Sequence, residues 1–197
     1  KMKISIIISM LLLLTINLYA SENKIAILVN DNAITNYDIE QRVKIYVIMN
    51  QVQITAENSK IITNKIVEEL IDTLLKLEKL EEYDVTIDAS DLDRYEDQYF
   101  KSQGINKEQI FELMRINEVN TEQFYHMLYN DIAWQILISR LYYRITSVTD
   151  EEIEELINKD PEISYDIAEK IIMDKQLALK SSKMLRDLKN EATIEYK

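Results

Sequence analysis

One glycine and one proline in 197 residues restrict this chain more than any other feature. Ordinary proteins use about 7% and 5% of these residues. Sandwiches and barrels turn every few residues, and tight turns draw on the positive φ of glycine and the fixed φ of proline. Long helices need neither. The chain therefore reads as mainly α. It has no cysteine, so disulfide staples and thiol chemistry are excluded and stability must come from packing. The lack of glycine-rich loops also leaves no phosphate cradle of the P-loop or dinucleotide type.

The first twenty residues carry an address. Lys1 and Lys3 precede an apolar run from Ile4 to Leu14, weakly extended by Ile16 and Leu18, and Ala20 stands before the polar Ser21-Glu22-Asn23. A basic start, an apolar middle and a small-residue exit make a secretory signal peptide. The run is shorter than the roughly 20 apolar residues of a membrane-spanning helix. Cleavage is expected after Ala20. Leu18 at the −3 position fits an A-x-A site poorly, which leaves an uncleaved anchor as the alternative. The expected division is signal 1–20 and one domain over 21–197, with a helical part 24–146, a short acidic connector 147–163 and a C-terminal helix and strand 164–197. Removing two lysines and no acids takes the net charge from −12 to −14. Such a chain should avoid nucleic acid and anionic lipid surfaces. Membrane contact is expected only through an uncleaved signal. Solubility alone also accounts for the acidity.

Beyond the signal, Ile25-Ala26-Ile27-Leu28-Val29 reads as a buried strand ending in the turn Asn30-Asp31-Asn32. Thr35 and Asp38 form a capping box, with Ile34 and Ile39 placed as a hydrophobic staple. The helix that follows presents Ile39, Val43, Tyr46 and Val47. A second helix has the clearest stripe: Ile62, Ile66, Val67, Leu70, Ile71, Leu74 and Leu77. A third starts near Ser90, with Asp93 at N3, and Gly104 stops it in the left-handed conformation. Asn106 and Gln109 start a fourth. A fifth runs from about Thr121 to Ile145 and is apolar nearly all round at its C-terminal half, so it should be central. Thr149 and Glu152 cap a sixth that ends at Asp160-Pro161. The last helix spans about 165–190, and Ala192-Thr193-Ile194-Glu195-Tyr196-Lys197 alternates like a strand. Two strands at opposite ends of a helical chain have only each other to pair with, so the termini are expected to meet in a small sheet.

Catalysis by His, Cys or bound metal is not expected. His126 is the only histidine, and no second ligand stands at metal-binding spacing. The acidic runs Glu81-Glu82 and Glu151-Glu152-Glu154-Glu155 read as solvated helix faces rather than acid–base pairs, which need one member in an apolar pocket. No cofactor is expected. What remains is a set of 12 Tyr, 3 Phe, 1 Trp and 7 Met, side chains suited to adaptable apolar surfaces. Most should be core. Tyr99, Phe100, Met114 and Met127, on the third to fifth helices, are the candidates for peptide binding.

The stretch Ile27-Leu28-Val29-Asn30-Asp31-Asn32-Ala33-Ile34-Thr35-Asn36-Tyr37-Asp38-Ile39 resembles the opening of SurA-type periplasmic chaperones. Leu70-Ile71-Asp72, continuing to Tyr83-Asp84-Val85-Thr86-Ile87, resembles the family's second helix and its exit. Asn120-Thr121-Glu122-Gln123-Phe124 is similar to the start of its long helix. The tail from Met184 to Tyr196 is similar to its C-terminal helix and strand. The resemblance covers nearly all of the chain after the signal. Larger members carry one or two parvulin-type prolyl isomerase domains between the N-terminal helices and the C-terminal helix. Here that interval has room only for one short acidic helix.

The resemblance implies a multi-helix chaperone core, in the periplasm, without the enzyme. It implies an ATP-independent holdase for unfolded outer-membrane proteins or other exported polypeptides. Barrel strands expose alternating apolar residues, which an uncoded apolar cleft can hold. The alternative is a non-enzymatic structural or assembly subunit of the envelope, tethered or soluble.

Overall fold

A computed structural model describes residues 24–197; the segment 1–20, with its expected cleavage point, lies outside the described residues. Strand β1 (Ile25–Val29) and strand β2 (Asn32–Thr35) form a hairpin, followed by helices α1 (Asn36–Asn50), α2 (Ser59–Glu82), α3 (Ala89–Gln103), α4 (Lys107–Ile116) and α5 (Thr121–Tyr142). A 3₁₀ turn over Tyr143–Ile145, α6 (Asp150–Lys159), α7 (Tyr165–Glu191) and β3 (Ile194–Tyr196) complete the chain. The fold class read from the sequence is the one observed. No helix among the described residues is long and apolar enough to cross a membrane.

The termini do meet, but in a sheet of three strands ordered β2-β1-β3, all antiparallel. Ile27 pairs with Ile34 on one side and with Tyr196 on the other. The expectation that the end strands pair only with each other is corrected here by β2. Its four residues are too few to show alternation, and the sequence reads them as turn and cap. Asn30 takes φ +52°, a left-handed turn conformation that Asn tolerates well, and this folds β2 back onto β1. Ile27, Val29 and Ile34 point inward onto Ile62, Ile66, Leu70 and Ile71 of α2 and Leu185 and Leu188 of α7.

The caps follow the sequence closely. Thr35 Oγ1 accepts from the Asp38 amide while the Thr35 amide donates to Asp38 Oδ2, and Thr149 with Glu152 repeats the arrangement. Gly104 ends α3 at φ +65°. α3 starts two residues earlier than read, with Asp88 rather than Ser90 at the N-cap and without a side-chain cap bond. α5 is central as expected: it touches α1, α2, α3, α4 and α7. It gives way to the 3₁₀ turn at Tyr143, so the expected end at Ile145 belongs to the turn.

Helix α1 shows what a single-stripe reading leaves out. Ile39, Val43 and Tyr46 pack toward the sheet and α2, as read. A second stripe, Ile45, Ile48 and Met49, is more deeply buried and faces α3, α4 and α5. α1 is thus sandwiched, and Gln41 and Arg42 are buried with it. At the other end of the molecule, α6 packs on the first turns of α7. Ile153, Ala168 and Ile172 form a small apolar cluster there with Val148, Leu156, Ile157 and Ile163.

Candidate functional site

The four peptide-binding candidates divide into two pairs. Phe100 and Met114 are core residues, 4% and 0% exposed. Phe100 stands in an aromatic box, 5.9 Å from Phe124, 6.1 Å from Phe111 and 5.8 Å from Tyr99 between ring centroids. Such offset and edge-on pairs stabilise beyond the area they bury. Met114 lies in the same cluster. Neither side chain has surface to offer a ligand in this conformation. Tyr99 and Met127 are half-buried, and both line one cavity of about 230 Å³ between α1, α2, α3 and α5. Arg42, Ile45, Tyr46, Met49 and Asn50 of α1 and Lys65 and Glu69 of α2 complete its wall. His126 is exposed on α5.

A larger groove, about 650 Å³, opens between α5 and α7. Its floor is Trp134 and Ile138 of α5, both buried, with Leu177 and Ala178 of α7 opposite. Trp134 Nε1 donates to Ser181 Oγ at 2.8 Å, which fixes the indole against α7. Lys76 stands over that ring, 5.8 Å from its centroid. Tyr95 of α3 and Tyr143 of the 3₁₀ turn form the lips, and Gln135 donates to the Tyr95 hydroxyl at 3.2 Å. Tyr143 is 56% exposed, a large apolar ring held in water at the mouth of the groove. A groove of this size with apolar walls and few polar groups is the usual form of a binding site.

The two openings share the line of α3 and α5. Tyr95 borders the larger and Tyr99 the smaller, one turn apart on α3; Gln135 and Met127 stand in the same relation on α5, two turns apart. Midway on α5 sits Asp131. Burial pushes its carboxyl above the ordinary aspartate range, against the opposing pull of Lys76 and Arg42. Burial, with the charge of Asp131 second, likewise raises the phenols of Tyr95 and Tyr99. Arg42 is only 8% exposed, and burial lowers its pKa against the attraction of Asp131 and Glu69.

The sequence reading missed Gln41, Arg42 and Asp131. A signal was present. Asp131 stands directly before the apolar half of α5, and Gln41 and Arg42 fall in register with Ile45, Ile48 and Met49. Gln41 is structural: its Oε1 accepts from the Asn120 amide at 2.8 Å and its Nε2 donates to the Glu118 carbonyl at 3.4 Å, tying α1 to the turn before α5. Among the described residues, no group of three or more His, Cys, Asp or Glu side chains converges as metal ligands would.

No protein-family model matches the chain, and no curated protein does. Among solved structures it is similar to one from Campylobacter jejuni, reported in a study of PEB4 and Cj1289 as two structurally related SurA-like chaperones. The identity is 17% and the TM-score 0.38, with 71% of this chain and 51% of that chain covered. The likeness is distant, and this chain spans about half the length of that structure.

Proposed function

We propose that the chain is an exported, ATP-independent holdase that binds unfolded outer-membrane proteins in transit and has no prolyl isomerase activity. The observation that carries this reading is the α5–α7 groove, whose apolar walls come from both helices and which is edged by the exposed ring of Tyr143. An unfolded barrel strand displays apolar side chains at every second residue. A groove with apolar walls takes those side chains in turn and asks for no particular sequence. The polar groups at its edge, Gln135, Ser139 and Asp174, keep it wetted and reversible. The binding residues assigned to this groove are Tyr95, Ile136, Tyr143 and Leu177, with Tyr99 and Met127 in the adjoining cavity.

Export is supported by the order of residues in 1–20. The lack of isomerase activity is supported by the interval between α5 and α7, which holds only the 3₁₀ turn and α6. The test is to dilute an unfolded outer-membrane barrel protein into buffer with an equimolar amount of this protein. Slower aggregation supports the reading, and an unchanged rate rejects it. A proline-peptide assay run alongside should show the uncatalysed rate.

A further inference from the structure

The end of α5 differs chemically from the rest of this acidic chain. From Ile132 to Thr149 there is no Asp or Glu, although the chain has 35 of them. Arg140, Tyr143 and Arg144 stand at i, i+3 and i+4, which places them side by side on the last turn. All three are exposed, and neither arginine enters an ion pair among the described residues. Lys180 of α7 adds a third cation without an ion pair there, its Nζ 5.6 Å from the ring centroid of Tyr142. Ile145, next in the chain, is 71% exposed. Cations are expected at a helix C-terminus, where they offset the macrodipole. That accounts for the arginines but not for the two large apolar side chains held in water beside them.

An exposed ring and an exposed aliphatic chain among unpaired cations match the edge of a lipid bilayer. There a tyrosine ring sits at headgroup level, an aliphatic chain enters the acyl boundary, and basic side chains meet phosphate. An acidic polypeptide in water would use the cations and leave Ile145 exposed. We propose that this end of α5 docks the protein on a bilayer surface that contains anionic phospholipid, with Arg140, Arg144 and Lys180 toward the phosphates and Tyr143 and Ile145 in the headgroup boundary. The net charge of −12 opposes the approach from a distance. At physiological salt the screening length is about 8 Å, so on contact the local charges decide. The acids that flank the patch are Asp174, in the groove wall, and Asp150, which accepts from the Tyr165 hydroxyl at 2.6 Å. Tyr143 also edges the α5–α7 groove, so docking brings the mouth of the groove to the membrane. Docking needs no client and does not depend on holdase activity.

The chain has no cysteine, so one introduced thiol can carry an environment-sensitive fluorophore. Ser147→Cys places it next to the patch. Ser102→Cys places it at the end of α3, beyond Tyr99, which packs near the start of α5 on Phe124. Each labelled full-length chain is mixed with vesicles of pure phosphatidylcholine and with vesicles one-third phosphatidylglycerol. Residues 1–20 are common to all samples, so the position of the label decides. The probe at 147 should brighten severalfold on the anionic vesicles and stay unchanged on the neutral ones, while the probe at 102 stays unchanged on both. A basic residue near an anionic surface is worth about fivefold in affinity, so Arg140→Gln with Arg144→Gln should raise the lipid concentration for half-binding about 25-fold. Ile145→Ser should raise it severalfold. All three positions are exposed, so the variants should keep the wild-type circular dichroism. No brightening at 147, equal brightening at 147 and 102, or an unchanged titration in the double arginine variant overturns the docking surface. Equal brightening by polyglutamate without vesicles also overturns it and makes the patch a site for acidic polypeptides. Client binding measured without lipid reports on the holdase reading separately.

Discussion

The Asn30 side chain donates to Glu78 Oε2 at 2.8 Å and ties the β1–β2 turn to helix α2. The same side chain accepts from the Thr193 amide at 2.9 Å, and the Asn30 amide donates to the Thr193 carbonyl at 2.8 Å. Asn32 supplies a second donor to Glu78 at 2.8 Å. The two ends of the described chain are therefore joined through one asparagine in a left-handed turn. Lys189 adds a second tie: it reaches Asp72 at 2.6 Å and Glu68 at 3.1 Å across α7 and α2.

Replacing Asn30 should loosen this junction. Asn30→Ala removes two side-chain hydrogen bonds and puts a residue with no polar group at φ +52°. Each bond contributes about 1 kcal/mol, and the left-handed backbone costs Ala about 1 kcal/mol more than Gly. The expected loss is ~2–3 kcal/mol for Ala and ~1 kcal/mol less for Gly, read from urea denaturation. Equal losses for the two variants would remove the backbone from the account.

Gln41 should matter more than its side-chain type suggests. It is 2% exposed, and truncation leaves the Asn120 amide and the Glu118 carbonyl without their partner. An unsatisfied buried polar group costs about 1–3 kcal/mol. Gln41→Leu should therefore destabilise by ~2–4 kcal/mol despite keeping the volume. A neutral result would mean that water satisfies both groups.

Asp131 makes a prediction about pH. Its folded-state pKa lies above the unfolded value of about 3.9. Below that value both states are protonated and the residue contributes nothing. As pH rises the unfolded chain ionises first, so Asp131 weakens the fold progressively, and fully once pH exceeds the folded pKa. Asp131→Asn carries no such penalty. Its melting temperature relative to the wild type should therefore rise between about pH 4 and pH 7, as read by circular dichroism. A relative melting temperature that falls over that range would mean that attraction to Arg42 and Lys76 outweighs burial.

Much of this fold is written locally. Thr35 with Asp38, Thr149 with Glu152, Asn106 with Gln109 and Gly104 all act within four residues, and each is found where the sequence puts it. β2 was not legible, because its strand character comes from pairing with β1. The second stripe of α1, Ile45, Ile48 and Met49, stands at helical steps in the sequence but was not read, and it becomes core only when α3, α4 and α5 close over it. The same limit governs the site. Tyr99 and Phe100 are adjacent, so their side chains point about 100° apart on α3, and only the packing of Phe111 and Phe124 decides which one enters the core. The α5–α7 groove joins Trp134 to Ser181, 47 residues apart, and no local pattern marks such a pair.

The central claim is that apolar surface at the α5–α7 groove holds unfolded outer-membrane proteins. The most direct measurement is the affinity of the wild type, Tyr143→Ser and Phe100→Ser for an unfolded barrel protein, with an unfolded soluble protein as control and a melting curve for each variant. The account predicts preference for the barrel protein. It predicts that Tyr143→Ser, at an exposed position, weakens binding severalfold while changing stability by only about 0.5 kcal/mol. Phe100→Ser should instead cost ~3–5 kcal/mol of stability, as truncation of a buried aromatic does. Binding unchanged in Tyr143→Ser, or equal for both unfolded proteins, would contradict it.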